Sequence, residues 1–158
     1  MRLTDEITIR LLRHLRRRQL RYIMPNIYIK GRECDVYAET TSGYSHEYEI
    51  KVSYADYKND LQKGRKHQLL MEGKRVNRFY YVVPFVDENN KIDTKNIITV
   101  DIIPPYAGLI YYVNGRFYTE KEAPLLSKVK ISHQNAVLKS AYHRYVHYFN
   151  KATGELIL

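Results

Sequence analysis

The residues best suited to chemistry are Asp35 and the triplet Glu49-Ile50-Lys51. In a strand, alternate side chains share a face, so Glu49 and Lys51 point the same way, about 7 Å apart. If the run carrying Asp35 pairs beside that strand, its carboxyl approaches Glu49. Two carboxylates and an intervening main-chain carbonyl, that of Ile50, make a hard-oxygen set suited to Mg²⁺, which keeps several waters of its own. Mn²⁺ is expected to substitute. A cation held there polarises a phosphodiester and acidifies a bound water. Lys51 can hold that water or neutralise charge growing on the phosphoryl oxygens. The alternative is that Asp35, Glu39, Glu47, Glu49 and Lys51 are the solvated face of an ordinary antiparallel sheet, with ion pairs of roughly 0.2–1 kcal/mol each.

Elements to position these residues follow from the pattern around them. Thr4 suits a helix N-cap, with Asp5 and Glu6 in the first turn where the helix dipole favours acids. Ile7, Leu11, Leu12 and Leu15 recur at helical spacing, which predicts an amphipathic helix ending near Arg21, before Pro25. Strands are expected at 26–30 and 34–39, joined around Gly31, and at 46–53. The period changes over 54–71, predicting a second helix closed by Gly73, with Gly64 weakening its middle. Residues 78–83 form a buried-type strand stopped by Pro84. Beyond it we expect a polar loop with a weak helical turn at 87–95 and a strand at 97–103. Asn114-Gly115 is a strong hairpin signal between 109–113 and 116–119. Ser132 opens a last helix reaching Phe149, with Leu138, Tyr142, Tyr145 and Phe149 facing inward.

Asp35, thirteen residues, then Glu49-x-Lys51, set in the order helix, three strands, helix, strand, resembles the PD-(D/E)XK nuclease superfamily of restriction endonucleases and repair nucleases. The resemblance covers residues 4–84, about half of the chain. Residues 49–60, Lys66-His67 and 78–84 look like small bacterial and phage members described as DNA-repair nucleases. Cys34 stands where the name-giving proline would be. The resemblance implies an α/β fold with a restriction-endonuclease-like core, a mixed sheet flanked by helices, and a C-terminal hairpin and helix as elaboration over 85–158. It implies metal ligation by Asp35 and Glu49, a catalytic role for Lys51, a glutamate from the first helix, for which Glu6 fits, and polar groups from the second, for which Asp56, Lys66 and His67 fit. The activity implied is Mg²⁺-dependent hydrolysis of DNA phosphodiesters, in repair, recombination or phage DNA processing. The alternative from another class is a non-catalytic DNA-binding accessory protein on the same fold.

Charge points to the same partner. The 158 residues carry a net charge of +9, which favours a polyanion and says nothing about fold. Residues 1–32 hold nine basic and two acidic residues, 33–60 seven acidic and two basic, and 61–80 six basic and one acidic. An acidic patch between basic segments suits a chain that grips phosphates around a divalent cation. Arg13, Arg16, Arg17 and Arg18, with Lys58, Lys63, Arg65 and Lys66, are the expected contacts to double-stranded or branched DNA. Sixteen tyrosines can stack on bases or fill the core. His143 and His147, four apart, could share a metal, but no third ligand lies near them in sequence, and a packed or exposed role is expected. The length suits one domain over 1–158, with a homodimer left open. No apolar run reaches membrane-spanning length and no secretory leader is evident, so a bacterial or phage-infected host cytoplasm is expected. The lone Cys34 excludes an internal disulfide and reads as a small buried hydrophobe.

Overall fold

A computed structural model describes residues 1–85 and 98–154. Its centre is a six-stranded mixed sheet in the order β1-β2-β3-β4-β5-β6. The strands are β1 (Leu20–Ile29), β2 (Arg32–Thr40), β3 (Ser45–Ile50), β4 (Arg78–Pro84), β5 (Ala107–Val113) and β6 (Arg116–Lys121). β1, β2 and β3 form an antiparallel meander, β3, β4 and β5 run parallel, and β6 returns antiparallel. Parallel neighbours need a crossover, and the one from β3 to β4 carries α2 (Tyr54–Leu61) and α3 (Gly64–Met71). α1 (Leu3–Leu15) precedes the sheet and α4 (Gln134–Thr153) follows it.

The sheet separates two apolar cores. On one face Ile7, Leu11 and Leu15 of α1, spaced i, i+4, i+8, pack against Val36, Ala38, Tyr48, Ile50 and Val82. Each such aliphatic side chain contributes roughly 1.5–3 kcal/mol when fully buried. On the other face Cys34, Tyr37, Tyr57, Leu70, Phe79 and Tyr81 form the second core, joined by Val137 of α4. Cys34 is buried there, and burial pushes its thiol well above the ordinary range.

Several boundaries differ from expectation. α1 begins one residue before Thr4, which therefore does not cap it, and ends at Leu15, its last buried anchor. Arg16, Arg17 and Arg18 have no apolar surface to cover and form the exposed turn into β1. β1 then runs from Leu20 straight through Pro25, a residue that lacks a donor but is tolerated on an edge strand. The second helix is two, broken at Gln62 and Lys63. Residues 98–103 form no strand; a turn spans 100–102, and Ile98 and Ile103 are buried all the same. The loop expected at 87–95 lies outside the described residues. Gly73 closes α3 in the left-handed region, where an added Cβ would clash with the Leu126 carbonyl oxygen. Asn114 and Gly115, both at positive φ, make the β5–β6 hairpin turn. α4 inverts the expected orientation. Only Val137 is buried, whereas Leu138, Tyr142, Tyr145 and Phe149 face outward, Tyr145 being 60% exposed. No helix among the described residues is long and apolar enough to cross a membrane.

Candidate active site

Asp35 and Glu49 meet where β2 and β3 part. The β2–β3 ladder runs up to Val36 opposite Tyr48. One residue further, Asp35 Oδ2 accepts a hydrogen bond from the Ile50 main-chain N–H at 2.8 Å, so a carboxylate takes the place of the next ladder partner. Period 2 then sends Glu47, Glu49 and Lys51 to the α2–α3 face and Ile50 to the α1 face.

A charged cluster closes over Glu49. Lys51 Nζ lies 2.8 Å from Glu49 Oε1 and Lys66 Nζ 2.9 Å from Oε2, with Lys63 at 3.8 Å from Oε1. The contact with Lys66 is an ion pair without hydrogen-bond alignment, leaving Glu49 Oε2 a buried acceptor with no hydrogen bond among the described residues. Asp60 of α2 supports the lysines from behind. Its Oδ1 lies 3.0 Å from Lys66, 3.2 Å from Lys63 and 3.6 Å from Lys51. Its Oδ2 accepts from Tyr81 Oη at 2.8 Å. Burial acts to raise the Asp60 carboxyl, yet the His67 hydrogen bond and the charges of Lys66 and Lys51 outweigh it and hold it well below the carboxylate range.

Glu49 goes the other way. Burial, reinforced by Asp35 and opposed by Lys66 and Lys51, pushes its carboxyl up to about 7. Burial raises Asp35 too, against the Ile50 N–H. Lys66 and Lys51 are raised, because their acidic neighbours outweigh burial. A carboxyl raised in the folded chain holds its proton more tightly there than in the unfolded chain. The stability this lends is present at pH below the ordinary carboxylate value and is lost as pH rises toward 7.

His67 reaches the cluster with neither ring nitrogen free. Nε2 sits 2.8 Å from the Asp60 carbonyl, which can only accept, so Nε2 carries the proton. In the neutral ring Nδ1 then accepts from Tyr106 Oη at 2.6 Å. A ring so placed holds α3 against α2, and it could serve substrate only by giving up one of these two bonds. His67→Ala is accordingly expected to lower the melting temperature by several degrees, since it orphans buried partners at about 1–3 kcal/mol. An unchanged melting curve would show that these bonds do not hold α3 against α2.

The other expected residues divide cleanly. Glu6 accepts a hydrogen bond from Tyr112 Oη at 2.5 Å and lies 4.0 Å from Arg10, on the α1 side of β5, so the structure does not bring it to Asp35 and Glu49. Asp56 reaches the rim, 4.0 Å from Lys51. Lys66 is buried and ion-paired, so it joins the site and is not a surface contact for DNA. Lys58 and Arg65 are exposed and Lys63 is half-buried. Arg13 and Arg17 line a cleft of about 590 Å³ with Arg10, His14 and Arg116 of the hairpin, whereas Arg16 and Arg18 do not line it. Replacing Arg13 and Arg17 by Gln is expected to flatten the slope of log K against log salt for duplex binding by about 0.9 for each phosphate that is no longer neutralised. The same change at Arg16 and Arg18 should do less, and equal effects would show that duplex DNA does not lie in the cleft.

Sequence reasoning does not single out Asp60, Tyr81 or Tyr106. For Asp60 a signal exists: it lies three residues after buried Tyr57 and so shares the inward face of its helix.

The donor types suit the divalent cation that the residues imply. Asp35 and Glu49 are hard ligands raised by burial, and the Ile50 carbonyl lies between Glu49 and Lys51 in the chain. Glu49 Oε2 has the Lys66 ammonium 2.9 Å away, which a cation would have to displace. Among the described residues no group of three or more His, Cys, Asp or Glu converges. The fit is therefore two carboxylates, one carbonyl and water, a composition usual for Mg²⁺.

No protein-family model matches the chain, and no curated protein does. The fold has a counterpart among solved structures. A protein of unknown function from Silicibacter pomeroyi superposes with a TM-score of 0.69 at 17% identity, covering 100% of this chain and 99% of that one. The likeness shows a shared fold, a mixed sheet flanked by helices, and carries no activity with it.

Proposed function

We propose that the chain is a Mg²⁺-dependent DNA hydrolase of the PD-(D/E)XK type, on a restriction-endonuclease-like core formed by α1, β1–β3, α2–α3 and β4. The observation that carries the reading is the meeting of Asp35, the Ile50 main chain, Glu49 and Lys51 at the parting of β2 and β3. When bound by Asp35, Glu49 and the Ile50 carbonyl, the cation supplies Lewis acidity toward a phosphodiester and an acidified water. The chain's own groups supply the rest. Lys51 is placed to orient the attacking water and to neutralise charge on the phosphoryl oxygens. Asp60, fixed by Tyr81 and His67, favours the charged forms of Lys51 and Lys66 and holds both, with Lys63, beside Glu49. The cleft of Arg10, Arg13, Arg17 and Arg116 offers a sequence-independent grip on phosphates.

A second reading has one observation behind it. Asp35, Glu49 and Asp60 face Lys51, Lys63 and Lys66, with Asp56 4.0 Å from Lys51 at the rim, so the carboxylates already have cationic partners within the chain. This favours the non-catalytic DNA-binding alternative. Supercoiled plasmid and a branched duplex incubated with Mg²⁺, Mn²⁺, Ca²⁺ or EDTA separate the two. Nicking with Mg²⁺ or Mn²⁺ and none with EDTA is expected. DNA binding without nicking under every condition would leave the accessory role.

The raised Glu49 carboxyl sets the pH dependence. A proton must leave before Glu49 can ligate, so Mg²⁺ affinity is expected to rise up to about tenfold per pH unit below pH 7 and to level off above it. Isothermal calorimetry at several pH values reads this directly. An affinity flat from about pH 5.5 to 8 would remove Glu49 from the ligand set.

A further inference from the structure

We infer that the face formed by α4 and the β1–β2 turn binds an unpaired DNA strand. It deepens the hydrolase reading by naming the form of DNA, and it rests on that reading only for the cleavage that follows binding. The first observation is charge. Residues 123–154 contain no Asp or Glu, yet hold Lys128, Lys130, Lys139, Arg144 and Lys151 with His133, His143 and His147. Ordinary solvated helices mix both signs; α4 carries no carboxylate and keeps a local positive potential, although Glu33 stands opposite Tyr28 in the β1–β2 ladder.

The second observation is shape. Between β1 and α4 lies a cleft of about 810 Å³ lined by Tyr28, Lys139, His143, Arg144, His147 and Tyr148. A second cleft of about 700 Å³ is lined by Lys30, Arg65, Lys130, His133 and by Lys74, which pairs with Glu72. Among the described residues no carboxylate lines either cleft. They adjoin at the β1–β2 turn, where Tyr28 faces one and Lys30 the other, and at the start of α4, where Ala136 and His133 do the same. Arg144 donates to the Pro25 and Asn26 carbonyls, fixing α4 against the edge strand.

The third observation chooses among polyanions. Tyr28 is 68% and Tyr148 66% exposed, and both line the cleft between β1 and α4. A duplex presents phosphates and hides its base faces, so it has no use for such rings. Unpaired bases stack on them. A second copy of the chain would bring an equally basic face to this one, and like charges across an interface repel. The side of the sheet is also right. Val137 of α4 packs in the core that holds Tyr57, Phe79 and Tyr81, on the face where Glu49 and Lys51 lie.

The test is fluorescence anisotropy in EDTA, which removes cleavage from the readout, with an oligothymidylate of about 20 nucleotides and a duplex of equal length. Tyr28→Ala with Tyr148→Ala is expected to weaken oligothymidylate binding about tenfold or more and to leave duplex binding unchanged. Lys30→Gln with Lys139→Gln should flatten the single-strand salt slope by about 1.4, or 0.7 per phosphate, while the tyrosine variant keeps the wild-type slope. All four positions are at the surface, and melting curves check that the fold survives. Wild-type affinity in the tyrosine variant, equal losses on both DNAs, or a concentration-dependent dimer dissolved by the tyrosine changes would overturn the inference. Plasmid nicking with Mg²⁺ reports separately. Nicking despite those results leaves the hydrolase standing and removes this face, and tyrosine-dependent single-strand binding without nicking does the reverse.

Discussion

Arg75→Met is expected to destabilise the protein by about 3–5 kcal/mol, a large share of a typical folding free energy. Arg75 and Glu47 are both fully buried, between β4 and the β1–β2 turn. Arg75 Nε lies 2.7 Å from Glu47 Oε2 and Nη2 2.9 Å from Oε1, and Nη1 donates to the Ile29 carbonyl at 2.8 Å. Methionine fills much of the volume but leaves the Glu47 carboxyl buried without its guanidinium partner. Urea titration should show the loss, and the melting temperature should fall on the order of 10 °C. Arg75→Met with Glu47→Leu should recover most of it, because removing both charges also removes the desolvation penalty. A single variant as stable as wild type would mean that water reaches Glu47. A double variant no better than the single would mean that the pair organises the backbone rather than merely neutralising itself.

Asp35→Asn is expected to lower Mg²⁺-dependent nicking by at least about a thousandfold, a barrier increase of about 4 kcal/mol. The amide oxygen can still accept the Ile50 N–H, so the parting of β2 and β3 survives while the anionic ligand is lost. Glu49→Gln should have a comparable effect on nicking. It also leaves Lys51 and Lys66 to share Asp60, so its melting curve must be read beside its activity. Duplex binding through the α1 cleft should persist in both variants. Wild-type turnover of the asparagine variant at low Mg²⁺ would end the role given to Asp35.

Much of this arrangement is readable along the chain. The alternation of Glu47, Glu49 and Lys51 places them on one face because side-chain period in a strand is two whatever surrounds it. Asn114-Gly115 and Gly73 mark their turns because positive φ is cheap for them locally. Cys34 reads as a buried hydrophobe and is one. The boundaries fail where a local rule meets a tertiary exception. Pro25 looks like a breaker, but on an edge strand its missing donor harms nothing. Residues 98–103 look like a strand, but Ile98 and Ile103 are buried without a partner strand.

Periodicity or one residue's backbone preference thus accounts for the shared face of Glu49 and Lys51, although β3 stops at Ile50, for the α1 core stripe and for the hairpin; the approach of Asp35 depended on β2 pairing beside β3. Which charges share a dry volume follows from long-range packing. Asp60 becomes the hub of the lysines because the break at Gln62 and Lys63 turns α3 back over α2. Arg75 finds Glu47 from 28 positions away. Glu6 is carried to the wrong side of the sheet for Glu49 by the same apolar stripe that makes α1 a helix. α4 carries several apolar stripes, and periodicity cannot say which one packs. Lying over the edge strand, it buries Val137 and turns its tyrosines to the solvent. Distance along the chain sets none of these meetings. Burial does, because a charge or a ring settles only where the rest of the fold leaves it a partner.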